Sequence, residues 1–80
     1  MNVYVVVIND VHSGVDTEVF GRAAEAEGRA QEILGEHLSR VLKDEINVYL
    51  SDDMLKDNWI FFGEYDRGES YVAVMQREVK

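Results

Sequence analysis

The chain is 80 residues long and carries 16 acidic against 8 basic side chains, a formal charge of −8 at pH 7, with no Cys and no Pro. That balance excludes a disulfide framework and thiolate metal sets, and it sets the surface against nucleic acid and toward proteins whose working surface is basic. A chain this short makes a single domain over 1–80, burying only roughly two-thirds of its unfolded surface, while 46% hydrophobic residues is too many for a disordered acidic tail.

Taken in chain order, Val3 to Ile8 is a β-branched and aromatic run that predicts a strand. It has no basic leader and ends at Asn9 and Asp10, far short of the ~20 apolar residues of a membrane span. The expectation is a protein of a reducing cytoplasm, with no membrane association. His12, Ser13 and Gly14 predict a turn, and Val15 to Phe20 a second, shorter strand. From about Arg22 to Lys43 the period changes. Ala23, Ala26, Ala30, Ile33, Leu34, His37 and Val41 recur three or four residues apart and line one face of a long helix, with Ile33, His37 and Val41 turned to the sheet. Glu25, Glu32, Glu36 and Ser39 fall on the opposite face with Gly28 and Gly35, each of which costs about 1 kcal/mol relative to Ala in a helix interior.

Ile46, Val48 and Leu50 alternate with Asn47 and Tyr49, which favours a short strand, and Asp52 to Asp57 follows as a loop or a second helix. Asn58 to Tyr65 and Ser70 to Val79, separated by Asp66, Arg67, Gly68 and Glu69, read as strand, turn, strand. Strict alternation puts Trp59, Phe61 and Tyr65 on one side of the first of these and Ile60, Phe62 and Glu64 on the other. Trp59 is expected in the core, and Tyr65 nearer the surface as an interface anchor. The sum is an α+β domain in β-β-α-β-β-β order: an antiparallel sheet of four to five strands packed on, or curled around, one long helix. Several strands are apolar on both faces. One helix covers one face, so either the sheet curls around it, which is favoured, or the second face meets a partner.

Catalytic and metal chemistry find little footing. His12 stands in a turn near Asp10 and Asp16, where a solvated loop outweighs a metal site, and His37 sits in the apolar helix stripe, where a hydrogen-bonded core residue is the simpler reading. No zincin pair, phosphate loop, calcium loop or nucleophile elbow occurs. The expectation is a non-enzyme without cofactor or metal. The basic residues are scattered, which argues against direct nucleic-acid binding. The acids cluster instead: Glu32 and Glu36 on the outer helix face, and Asp52, Asp53 and Asp57 after the third strand, are the candidate partner-binding residues together with Tyr65. Carboxylates at i, i+4 spacing stand roughly 5–6 Å apart at Cβ, near the spacing of strand phosphates. The alternative for such an array is a solvated surface that keeps a small protein soluble.

The opening Met1 to Val7 strand, the polar turn, Asp16-Thr17-Glu18-Val19-Phe20 and an Ala/Glu-rich helix beginning at Arg22-Ala23-Ala24-Glu25-Ala26 resemble the start of many small phage and mobile-element proteins. Across its length, acidity and architecture the chain most resembles the type I anti-CRISPR proteins, particularly those directed against type I-C. The resemblance implies a monomer in the bacterial host cytoplasm. Such a protein binds the crRNA-guided surveillance complex (Cascade) and keeps it from target DNA, by acidic mimicry or by occluding the PAM and DNA-binding surface. Two alternatives stand beside it: a phage modulator of another host nucleic-acid-binding protein, and a homo-oligomeric structural module.

Overall fold

The computed structural model describes residues 1–38, 46–65 and 68–79, without the side chains of His37 and Leu38. Two long strands, β1 (Asn2–Asp10) and β2 (Gly14–Phe20), form a hairpin and lead into α1 (Ala23–Leu38). A two-residue strand β3 (Asn47–Val48), a short helix α2 (Asp52–Lys56) and a second hairpin of β4 (Trp59–Tyr65) and β5 (Ser70–Glu78) complete the domain. All pairings are antiparallel, in the order β2-β1-β5-β4-β3. The expected α+β class and its strands are present.

Three details sharpen the expectation. The described part of α1 is the 16 residues Ala23–Leu38, all within the predicted span from Arg22 to Lys43. Residues 39–43, with Val41, lie outside the described residues, as does the His37 side chain. The segment after β3, open in the sequence between a loop and a second helix, is a helix. The Ser51 hydroxyl caps it by accepting from the Met54 amide at 3.2 Å, and Asp52 and Asp53 occupy its first turn, where negative charge is favoured, with Lys56 in its last. The third strand is also shorter than the Ile46–Leu50 alternation suggested, although the Tyr49 amide still reaches the Phe62 carbonyl at 3.1 Å.

The helical period delivers the core. Ala26, Ala30, Ile33 and Leu34 are buried against Val6 of β1, Val72 and Val74 of β5 and Tyr65 of β4, and Tyr4, Ile8, Phe20, Ile46, Ile60 and Phe61 pack around them. Alanines at the helix start bring its backbone close to the central strands. Farther along, Leu34 lies directly over Gly63, where a Cβ would come within 2.6 Å of the Leu34 Cδ1. Gly28 and Gly35 are exposed with open space around them, so the outer face of α1 is bare at both positions.

A buried polar group locks the two hairpins together. Asp10 ends β1 only 7% exposed. One of its carboxylate oxygens accepts the His12 and Ser13 amides of the turn, at 2.8 and 3.0 Å, and the other accepts the Tyr65 hydroxyl at 2.7 Å. Ser70, opposite Tyr65 in the β4–β5 register, accepts the Val11 amide at 2.9 Å. The first turn closes at Gly14, whose φ of +90° suits glycine.

Candidate interaction surfaces

Cross-strand partners share a face, so the register places every strand side chain relative to the helix. Val6 pairs with Val74, and Val74 with Phe61, which puts these three under α1. Their neighbours point the other way. Across that second face run Val19, Val5, Met75 and Trp59 in one row, Thr17, Val7, Ala73 and Phe62 in the next, and Val15, Asn9, Tyr71, Glu64 and Asn47 in a third. In a chain with 30% charged residues, Glu64 is the one charge in these three rows. Curling does not close this face, because Val15 and Val19 stand 70% and 64% exposed and Tyr49 43%.

The β4 register corrects the expected side assignment. It shifts between Trp59 and Phe61, so that two residues of β4 advance against one of β5. Such a bulge re-aims the side chains before it. The chain enters it through Asn58, whose φ of 66° is the left-handed conformation that Asn tolerates, and whose carbonyl accepts the Gln76 amide at 2.8 Å. Trp59 therefore joins Phe62 and Glu64 on the second face, half-buried, while Phe61 and Tyr65 point toward α1.

Four aromatic rings gather on that face around Phe62. Tyr71 stacks on it at a centroid distance of 5.2 Å and 24°, Tyr49 leans against it at 5.2 Å and 60°, and Trp59 meets it edge-on at 6.5 Å and 87°. The Tyr49 hydroxyl donates to Glu64 Oε2 at 3.1 Å. Desolvation of the ring, then the hydrogen bond to Glu64 and its charge, raise the Tyr49 phenol above its ordinary value of 10.0. The proton is thus held where it serves as a donor to the carboxylate. Ultraviolet titration should find the Tyr49 midpoint, isolated by comparison with Tyr49→Phe, above the ordinary value. Glu64→Gln should bring it down by removing the neighbouring charge, and an unchanged midpoint would contradict the contact. A folded-state value above the unfolded one means that this contribution to stability is complete below about pH 10 and is lost as pH rises through the raised value.

Sequence-predicted site residues divide between confirmed exposure and correction. Glu32 and Glu36 are exposed on the outer face of α1, and Asp52, Asp53 and Asp57 are exposed at α2. Glu32 is not isolated: Arg29 Nη1 donates to it at 3.3 Å, while Arg29 Nε contacts both oxygens of Glu18 at 3.2 Å. Hydrogen bonding to Glu18 and its charge lead the causes that raise the Arg29 pKa, so this guanidinium stays charged. The two acidic groups stand on separate elements, α1 over β1, β5 and β2, and α2 beside β4. Tyr65 is the correction. It is 0% exposed and spends its hydroxyl on Asp10, so it offers nothing to a partner. The tyrosines that stand on the second face are Tyr49 and Tyr71. Their signal in the sequence was the pairing of apolar residues on both sides of the strands, which marked a second face without saying which aromatics occupied it.

Comparison of the chain with known protein families, characterised proteins and solved structures finds no match. Among the described residues no group of three or more His, Asp or Glu is placed to hold a metal ion. His12 is exposed, and both Asp10 carboxylate oxygens are engaged, one by the His12 and Ser13 amides and the other by the Tyr65 hydroxyl. No helix among the described residues is long and apolar enough to cross a membrane.

Proposed function

We propose that this protein is a non-catalytic inhibitor that binds a host nucleic-acid-binding complex, and specifically an anti-CRISPR protein that keeps the type I surveillance complex from its target DNA. The observation that carries this reading is the exposure of Glu32, Glu36, Asp52, Asp53 and Asp57 on a chain of net charge −8. The anti-CRISPR assignment within that class comes from the resemblance in length, acidity and element order. A DNA-binding channel holds Lys and Arg at phosphate spacing, and carboxylates presented on short rigid helices occupy the same side chains. The working location is the cytoplasm of a bacterial host, the protein acts as a monomer, and it needs neither cofactor nor direct contact with nucleic acid.

The test is DNA binding by purified type I-C Cascade in the presence of this protein. Wild type should block DNA, and raising the salt should slow its association. Glu32→Lys/Glu36→Lys or Asp52→Lys/Asp53→Lys, whichever pair meets the channel, should need at least about tenfold more protein for the same block, as expected when close charge pairs worth ~1.5 kcal/mol or more are reversed. Retained circular dichroism shows that each variant is folded. If both folded variants block as well as wild type and salt leaves the association rate unchanged, charge mimicry is wrong.

A further inference from the structure

We infer that the uncovered face of the sheet, centred on Phe62, seats an arginine-bearing surface of the partner, with Tyr49, Tyr71 and Phe62 receiving the guanidinium plane and Glu64 its charge. The inference rests on the proposed function only in taking the partner to be basic.

The argument begins with what the face lacks. Its three central rows hold Val5, Val7, Val15, Val19, Met75, Trp59, Phe62 and Tyr71 with Glu64 as their one charge, Arg77 stands beyond them in the row beside Met75, and α1 lies on the other side of the sheet. An apolar surface this continuous marks an interaction site. What occupies it follows from charge. A second copy would bring another −8 against the first. If two copies instead paired through their β2 edges about Thr17, Asp16 of one would stand opposite Glu18 of the other, twice, an arrangement of like charges that destabilises a strand pair. A partner of opposite sign meets neither penalty.

The aromatic end narrows the chemistry from basic to arginine. Ring faces attract cations, and a planar guanidinium both stacks on a ring and donates in parallel to a carboxylate, which a lysine ammonium does not. Glu64 stands in the same cluster, oriented by the Tyr49 hydroxyl at 3.1 Å. A carboxylate has about four lone-pair sites, so the bond from Tyr49 positions Glu64 without filling it. Rigid aromatics around one fixed charge are the composition of an interface anchor.

Trp59 stands edge-on to Phe62 and reports on the cluster as the single Trp of the chain. The experiment titrates wild-type protein with capped hexa-arginine and hexa-lysine peptides, following Trp59 fluorescence at about 50 mM and about 300 mM salt. The expected result is a saturable change with the arginine peptide, about two- to fivefold tighter than with lysine, and the preference should persist at the higher salt. Tyr49→Leu, which keeps apolar volume just after the two-residue edge strand, and Glu64→Gln should each weaken arginine binding by about the same factor. Glu32→Lys/Glu36→Lys should leave the arginine preference unchanged. Equal binding of the two peptides, or indifference to both Tyr49→Leu and Glu64→Gln, would overturn the inference. So would sedimentation as a dimer that Val19→Lys dissociates, since a second copy would then own the face. No Cascade enters this titration, so its outcome is independent of the blocking assay. A failed blocking assay with a positive titration removes the anti-CRISPR reading alone, and the reverse removes this face alone.

Discussion

Tyr65→Ala should cost the domain about 3–5 kcal/mol, the range for truncating a buried aromatic. Marginal stability of about 0.05–0.15 kcal/mol per residue gives a chain of 80 residues about 4–12 kcal/mol in all, so the variant should lose about a quarter or more of its stability. Tyr65 is the largest fully buried side chain, lying in the core with Leu34 and Val72 and joined to Asp10 by a 2.7 Å bond. Tyr65→Phe separates the two contributions. It keeps the ring and removes the hydroxyl, so the Asp10 carboxylate loses a donor in a site 7% exposed, a change expected to cost about 1–3 kcal/mol. Urea denaturation followed by circular dichroism measures both. A Phe variant as stable as wild type would mean that the polar lock between the hairpins contributes nothing.

The sequence made the scaffold readable because two periods are cleanly written in it. Ala26, Ala30, Ile33 and Leu34 follow the helical repeat and all are buried; the predicted runs contain β4 and β5 and lie within β1 and β2, which extend beyond them. Face assignment along β4 failed for a local reason. Alternation assumes an unbroken ladder, and one bulge after Asn58 moves Trp59 to the opposite face from Phe61. The reversal of Trp59 follows from that single residue, whereas Tyr65 keeps the side it shares with Phe61. Tyr65 was misplaced for a different reason: its acceptor, Asp10, lies 55 residues away in the chain, and no local pattern connects them. Composition did locate the exposed acids, since a charged residue on the outer stripe of an amphipathic helix has nowhere else to point. It did not indicate that Arg29 bridges Glu32 to Glu18, which requires the spatial neighbourhood of β2 and α1.

The contact between α1 and the sheet at Leu34 and Gly63 supplies the other large effect, and it can be measured from both sides. Leu34 is 5% exposed, and Leu34→Ala should cost about 2–5 kcal/mol through lost burial and the cavity left behind. Gly63→Ala places a methyl where the Leu34 Cδ1 already stands, 2.6 Å from the new Cβ. The leucine must leave its position or the helix must lift, an overpacking cost of about 1–3 kcal/mol. Combined, the two substitutions partly cancel, because the methyl added by Gly63→Ala occupies part of the space that Leu34 vacates. The double variant should therefore be more stable than the sum of the single losses by at least about 0.5 kcal/mol, the coupling expected of residues in direct contact. Four denaturation curves close the cycle. Strict additivity would mean that α1 does not seat on β4 through this pair, and the placement of the Leu34 side chain over Gly63 would fall with it.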